Sequence, residues 1–154
     1  MPPRMARIPV RDTKPERLLR AVLGRIGVAD LEYNAAHLPG QPDVVLLASR
    51  VAAFAHGCFW HHHQGCQHGR VPATEYPWAS KFKCTRARDA ATRSALVAAG
   101  WRVLTVWECA LCGPDALPAG DLDGAVAGFL GGTTATLELE GHGVSPLVRQ
   151  PRAA

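Results

Sequence analysis

Apolar residues near the start of the chain recur at the spacing of one helical face. They are Leu18, Leu19, Val22, Leu23 and Ile26. This stripe predicts a helix with one buried side. Thr13 can cap its start, Pro15 suits the first turn, and Glu16 lies three residues after the cap. Gly27 favours an end to the helix.

Short apolar runs predict strands at residues 43–47, 51–56 and 101–107. Helical patterns occur at residues 85–99 and, more weakly, at 122–130. Between residues 57 and 78 the sequence is rich in Gly, Pro, His and aromatic residues, which is typical of an irregular, functional segment. This order of elements predicts a single α/β domain with a mixed central sheet flanked by helices.

Length and composition are those of one globular domain: 154 residues, 47% hydrophobic and 19% charged. We divide the chain into a flexible basic arm at residues 1–10, the domain at 11–132 and a tail at 133–154. The sequence shows neither a secretory signal nor an apolar run long enough for a membrane helix. We therefore expect a soluble, monomeric protein of the cytoplasm. Its net charge of +4 is a weak indication of a polyanionic partner.

Cysteine and histidine are concentrated in one short segment. Cys58, His63 and Cys66 fall within nine residues, and Cys109 follows the last predicted strand. Three thiolates and one imidazole suit tetrahedral zinc, and four protein ligands would make the site structural. The odd total of five cysteines argues against a disulfide framework.

Other residues compete for two of these positions. His62 and His68 are alternative imidazole ligands. Cys84 and Cys112 are spare thiols, of which Cys112 is the better substitute.

Groups suited to phosphodiester hydrolysis lie at the ends of two predicted strands. Asp43 opens one strand, the next ends at Ala55 and His56, and His61 lies five residues on. If the strands pair, a carboxylate and imidazoles meet at one edge. Carboxylate oxygen binds a hard cation, and an imidazole can remove a proton from water.

Several of these residues also have purely structural explanations. Asp43 can belong to a turn, Glu16 to a capping box and Asp89 to a solvated helix face. Cys58 and Cys109 can be buried small side chains. Spacing alone does not decide between the two interpretations.

A series of short motifs carries a more specific signal. They are DTKPE at 12–16, LPGQPD at 38–43, HGCFWHHH at 56–63, VPAT at 71–74, RD at 88–89, GWRVL at 100–104 and WECAL at 107–111. In this order, over residues 11–111, the chain resembles the very short patch repair (Vsr) DNA mismatch endonucleases. The resemblance implies a restriction-endonuclease-like fold of the PD-(D/E)xK type. It also implies zinc ligands at Cys58, His63, Cys66 and Cys109.

The resemblance implies an activity too: a nick in duplex DNA 5′ to the T of a G·T mismatch left by deamination of 5-methylcytosine. The catalytic residues that it implies are Asp43, His56, His61, Glu16 and Asp89. Asp43 would bind Mg²⁺ together with the Ala55 carbonyl, and both histidines would act at the phosphate, with His61 as the general base. Glu16 and Asp89 would hold water at the metal and orient the histidines.

The same resemblance implies how DNA is held. Phe59, Trp60 and Trp78 would wedge into the base stack beside the mismatch, since a mismatched step is cheaper to unstack. Alternatively, the Phe-Trp pair belongs to the core. Lys81 would approach the bases and Arg88 a phosphate. Mismatch-repair proteins and a cytosine-5 methyltransferase are implied as functional partners, and the bound enzyme would be associated with the nucleoid.

Two other functions stay open. One is a related nuclease that cuts another mismatch, modified DNA or unmatched duplex within a defence or restriction system. The other is a zinc-stabilised DNA-binding module without catalysis. The second conflicts with the presence of the complete set of acidic and imidazole groups, which binding alone does not require.

Overall fold

A computed structural model describes residues 12–142 of the chain. Its centre is a mixed five-stranded sheet in which each strand neighbours the next one in sequence. The strands are β1 (Leu31–Tyr33), β2 (Val44–Leu46), β3 (Val51–His56), β4 (Arg102–Trp107) and β5 (Thr136–Leu139). The helices are α1 (Lys14–Arg25), α2 (Trp78–Ala98), α3 (Glu108–Leu111) and α4 (Ala119–Gly131). The predicted mixed α/β architecture is confirmed.

The sheet changes direction at its middle strand. Strands β1, β2 and β3 are antiparallel neighbours, whereas β3–β4 and β4–β5 run parallel. In the parallel pair His56 is in register with Trp107, so β3 and β4 end side by side. Whatever follows these two strands therefore leaves the sheet at the same edge.

Side chains of β3 alternate between two cores. Val51, Ala53 and Ala55 belong to the larger core, which α1 and α4 cover. Ala52 and Phe54 pack on the opposite face with Leu96 of α2 and Val103 of β4. The central strands are thus covered by helices on both faces, as expected for fully buried strands.

The start of α1 follows the predicted capping pattern. The Thr13 side chain accepts a hydrogen bond from the Glu16 amide, and Pro15 lies in the first turn. Leu19, Val22 and Leu23 are completely or almost completely buried. The helix ends at Arg25, as the sequence predicted to within a residue or two.

Other boundaries differ from the prediction. Helix α2 begins seven residues earlier than the predicted start at residue 85, at Trp78, after a Pro77 that provides no side-chain cap. Strand β1 was not predicted, because three residues are too few to show an alternating pattern. Strand β5 lies within residues 133–154, which the prediction treated as a tail; it pairs with β4 and extends the sheet past residue 132. The predicted N-terminal arm lies outside the described residues.

Within residues 12–142, no helix has both the length and the apolar character needed to cross a bilayer.

Candidate functional site

One groove collects most of the residues singled out in the sequence. Its volume is about 1170 Å³. It is bordered by the start of α1, the approach to β2, the end of β3 and one face of α2. The predicted site residues that line it are Glu16, Asp43, Ala55, His56, Phe59, Trp60, His61, Arg88 and Asp89. Trp78 and Lys81 are not part of its lining.

Asp43 lies immediately before β2 and is bound to the next strand. Its Oδ2 accepts a hydrogen bond from the Ala55 amide at 2.7 Å. The N–H and C=O of one strand residue point to the same side, so the Ala55 carbonyl also lies towards Asp43. The pKa of Asp43 is raised from 3.8 to about 6: burial is the largest cause, the Ala55 hydrogen bond opposes it, and the nearby negative charge of Glu16 adds to it.

Glu16 takes part in capping the start of α1 and also lies near Asp43. Only 5% of the residue is exposed. Its carboxylate accepts hydrogen bonds from the Asp12 amide at 2.9 Å and the Thr13 hydroxyl at 3.2 Å. Arg20 lies 3.6 Å from the same carboxylate. The capping interpretation of Glu16 is therefore confirmed, and it does not exclude a function in the groove.

Two imidazoles and a carboxylate form a second cluster in the groove. The rings of His56 and His61 stack with centroids 3.8 Å apart and planes within 1° of parallel. His61 Nδ1 lies 2.7 Å from Asp89 Oδ2. With Asp89 ionised, Nδ1 carries the proton, and Nε2 is left as a hydrogen-bond acceptor. Burial, followed by the charges of His61 and Arg93, holds the pKa of His56 well below its usual range.

Four further side chains converge next to this groove. The ligand atoms of Cys58, His63, Cys66 and Cys109 all lie within 4.8 Å of one another, and all four residues are buried. The Sγ atoms of Cys58 and Cys109 are each 3.6 Å from His63 Nδ1. Sulfur at about 2.3 Å and nitrogen at about 2.0 Å from a tetrahedral zinc are about 3.5 Å apart. The donor set and its spacing therefore fit a zinc ion.

The protons of this cluster are distributed unequally. The Cys58 thiol donates to Cys109 and, together with His63 and the Gly141 amide, lowers the pKa of Cys109 against the effect of burial. The same hydrogen bond, together with burial, raises the pKa of Cys58. The thiolate form of Cys109 is thus already favoured, and this is the form in which a cysteine binds a metal.

The groups around His63 fix its orientation. Its ring stacks on Trp107 with centroids 3.9 Å apart. Its Nε2 lies 3.3 Å from Glu140 Oε1, so Nδ1 is the nitrogen turned towards the sulfur atoms. The Gly141 amide donates to Cys109 Sγ at 3.3 Å. Glu140 and Gly141, which lie just after β5, thus contact His63 and Cys109 of the cluster.

The structure separates the competing residues from this cluster. His62 stacks on Phe82 with centroids 5.0 Å apart. Cys84 is exposed on α2. Cys112 donates to the Glu108 carbonyl. Within residues 12–142, neither these side chains nor His68 belongs to the four-residue group.

The aromatic residues form one cluster at the edge of the groove. Phe59 meets Trp60, Trp78 and Phe82 edge-on, with centroids 5.0 to 5.2 Å apart. Phe59 and Trp60 are half-buried, whereas Trp78 is only 7% exposed. Lys81 Nζ lies 5.8 Å from the centre of the Trp60 ring. Phe59 and Trp60 thus face the groove, while Trp78 packs behind them.

Sequence reasoning missed three residues at these sites. Glu140 and Gly141 fell in the predicted tail, where no pattern marked them. Arg93 lines the groove four residues after Asp89, and helical spacing could have placed it on the same face of α2.

Comparisons with known proteins agree on one family. A family model described as DNA mismatch endonuclease Vsr matches residues 3–68. The DNA mismatch endonuclease Vsr of Escherichia coli (strain K12) is 39% identical over 141 residues, which cover 91% of this chain and 89% of that protein. The type II nicking enzyme V.XorIIP of Xanthomonas oryzae pv. oryzae is 40% identical over 116 residues, covering 75% and 84%. V.NmeAIP, a type II nicking enzyme of Neisseria meningitidis, is 35% identical over 108 residues, covering 70% and 76%.

Asp43→Asn should stabilise the protein when no magnesium is added. Because the folded-state pKa of Asp43 is raised, its ionisation costs stability above about pH 6, and this cost disappears below about pH 4. Asparagine keeps an acceptor for the Ala55 amide without the charge. We expect a gain of about 2 kcal/mol at pH 8, less than the full shift implies because of solvent screening. Urea unfolding between pH 4 and 8 measures it.

Asp123→Asn is the matched control for this experiment. A hydrogen bond with Arg25 lowers the pKa of Asp123, so its ionised form favours the folded state at pH 8. This variant should not gain stability at pH 8. A destabilised Asp43→Asn variant whose deficit is independent of pH would contradict the electrostatic account of the groove.

Proposed function

This chain belongs to the Vsr family of DNA mismatch endonucleases and is a DNA endonuclease, and from that premise we propose that it nicks one strand of duplex DNA 5′ to the T of a G·T mismatch. Such mismatches arise when 5-methylcytosine is deaminated. We assign its sheet to the restriction-endonuclease type. In this proposal the enzyme is a monomer of the cytoplasm that acts on nucleoid DNA. Its functional partners are mismatch-repair proteins and a cytosine-5 methyltransferase.

The observation that supports this proposal most is the convergence of two kinds of group in one groove. The Asp43 carboxylate lines the groove with Glu16, and the stacked His56–His61 pair lines it with Asp89. Phosphodiester hydrolysis requires a cation ligand, a base and a contact to the phosphate within reach of a single phosphorus atom.

Magnesium fits the Asp43 side of the groove. Its ligands are oxygen atoms, and here burial, with a smaller contribution from the charge of Glu16, raises the pKa of Asp43, a cost that a cation offsets. We assign Asp43 and the Ala55 carbonyl as its protein ligands, with Glu16 nearby. When bound, the ion supplies positive charge that neutralises the phosphate.

His61 is the general base in this proposal. Asp89 holds its Nδ1, so that Nε2 faces the groove as the proton acceptor. As a water oxygen bonds to phosphorus, its proton passes to Nε2, and one P–O ester bond breaks, with the leaving oxygen regaining a proton from solvent. His56 is uncharged at neutral pH because of its burial. It keeps the His61 ring in place and donates a hydrogen bond to the phosphate.

Zinc has a structural role in this proposal. We assign Cys58, His63, Cys66 and Cys109 as its ligands. Four protein ligands would complete a tetrahedral site, so a bound zinc would join the loop after β3 to the end of β4 and take no part in hydrolysis. Because this loop carries His61, the four residues would help to hold the base in place.

Phe59 and Trp60 are the proposed wedge at the mismatch. They are half-buried at the edge of the groove, and Trp78 supports them from behind. Lys81 lies over this aromatic cluster, in a position suited to the bases, and we assign Arg88 to a phosphate. Partial unstacking beside a mismatch costs only a few kcal/mol, which base-to-ring stacking can repay.

A second candidate is a nuclease of the same fold that acts within a restriction or defence system. Its support is that relatives at 35 to 40% identity are type II nicking enzymes. It shares the site and differs only in the DNA that it selects. A binding module without catalysis is less well supported, because nothing in binding requires an imidazole pair oriented by a carboxylate.

The first test compares magnesium-dependent nicking of two duplexes that are identical except for a G·T or a G·C pair at one position. Denaturing gels resolve the nicked strand. We expect a single nick 5′ to the T in the G·T duplex alone. Asp43→Ala should reduce nicking by about 10³-fold or more because the cation ligand is lost, while binding of the mismatch in an anisotropy assay changes little. Nicking of other mismatches or of unmatched duplex would favour the second candidate, and nicking by Asp43→Ala at the wild-type rate would refute the assignment.

The second test concerns zinc. Cys109→Ala should lower zinc content from about one ion per chain towards zero and reduce the yield of folded protein, since metal binding and folding are coupled. Cys84→Ala, which removes an exposed thiol, should keep both. Elemental analysis measures the zinc content, and thermal unfolding measures how much of the protein is folded. Full zinc occupancy in Cys109→Ala would remove this residue from the ligand set.

The third test addresses the wedge. The double variant Phe59→Ala, Trp60→Ala should lose about tenfold or more of its preference for G·T over G·C duplex in binding, because stacking on an aromatic ring contributes about 1–3 kcal/mol per base. Its affinity for the G·C duplex should change little. Leu47→Ala, an exposed apolar side chain outside the groove, is the control. An unchanged preference for G·T over G·C duplex in the double variant would show that both rings serve only in packing.

A further inference from the structure

Arg93 occupies a place in the groove that the proposed mechanism does not yet use. It lies on α2 four residues after Asp89, and both line the groove. Four residues advance a helix by about 6 Å. Asp89 is bound to His61, which stacks on His56. One face of α2 thus presents a carboxylate to His61 and a guanidinium to the same groove.

Arg93 and His56 both line this groove. A phosphate held next to His56 therefore shares its cavity with the Arg93 guanidinium.

Among the described residues, Arg93 has no hydrogen bond, ion pair or ring contact, although it is half-buried. The other arginines near the groove differ: Arg17 and Arg20 both contact Asp12, and Arg88 is exposed. A partly desolvated guanidinium without a partner is costly unless an anion joins it on binding.

The other charged residues that line the groove explain why an anionic substrate needs an unpaired guanidinium there. Its described lining contains more carboxylates than cations. The carboxylates are Asp12, Glu16, Asp43, Asp89 and Glu108, and the cations are Lys14, Arg17, Arg88 and Arg93. A phosphate entering beside Asp43 and Asp89 meets repulsion, which a magnesium ion offsets on the Asp43 side only.

We propose that Arg93 is a catalytic residue that binds a non-bridging oxygen of the scissile phosphate next to His56. The proposal rests on the nuclease function given above. A guanidinium suits phosphate oxygens because its donors are planar and permanently charged. Negative charge on these oxygens grows as water adds to phosphorus, so a donor already in place stabilises the transition state more than the bound substrate.

The experiment combines a protein variant with a change in the phosphate. Binding is measured by fluorescence anisotropy without divalent cations, on a G·T duplex and on the same duplex with a neutral methylphosphonate at the scissile position. We expect the ratio of the two affinities, native over methylphosphonate, to fall about tenfold from wild type to Arg93→Ala, as for one hydrogen bond to a charged group. The ratio cancels repulsion from the acidic residues, which both proteins share.

Single-turnover nicking with magnesium supplies a second readout. Arg93→Ala should react about 10²-fold more slowly at saturating enzyme, and Arg93→Lys should recover part of the rate because it keeps the charge. Lys83→Ala removes an exposed cation of α2 outside the groove lining and should match wild type in both readouts. Arg93→Gln replaces Arg93→Ala if the alanine variant does not fold, as judged by thermal unfolding.

The outcomes separate the two proposals. If wild type does not nick any duplex, the proposed function fails. If wild type nicks and the affinity ratio of Arg93→Ala equals that of wild type, the role of Arg93 fails while the function stands. A methylphosphonate placed ten nucleotides away should leave the ratio unaffected by Arg93→Ala, and an equal effect there would show only a general attraction to DNA.

Discussion

Parallel pairing of β3 with β4 is the interaction on which both the groove and the thiol cluster depend. The register places His56 opposite Trp107. Two residues further on, each strand supplies a cysteine, Cys58 from one and Cys109 from the other. The two cysteines meet because the strands that precede them end together, and His63 then packs against Trp107. In an antiparallel pair the same residues would leave from opposite edges.

The loop after β3 serves two sites in alternation. Cys58, His63 and Cys66 turn into the buried cluster, while Phe59 and His61 line the groove. Backbone hydrogen bonds within the loop, such as that from the His63 amide to the Cys58 carbonyl at 2.8 Å, fold it into consecutive turns. A metal ion held by the four side chains would add the rigidity that the proposed base His61 requires.

Electrostatics in the groove favour substrate binding over stability of the free protein. Burial raises the pKa of Asp43 to about 6, and Arg93 lacks a described partner. Each arrangement costs free energy in the free protein, which the proposed cation and phosphate would offset. Such costs are common at functional sites, where residues are selected for the bound state. The buried core around Val22, Leu104 and Val126 supplies the stability that tolerates them.

The sequence by itself determined the elements with strong local signals and the chemistry of the sites. Helix α1 was marked by its stripe and cap, and β3 and β4 by apolar runs, while Cys58, His63, Cys66 and Cys109 stood out by residue type. These signals are local because periodicity and capping act within a few residues.

Only the tertiary structure decided which of these groups meet. It separated His62 from His63, turned Trp78 into the support of the aromatic cluster, and brought Glu140 and Arg93 to the two sites. Strand β5, at the edge of the sheet and half-buried throughout, is recognisable only through its pairing with β4. Such contacts join residues far apart in the chain, and the physical reason they escape the sequence is that register and burial are properties of the assembled sheet.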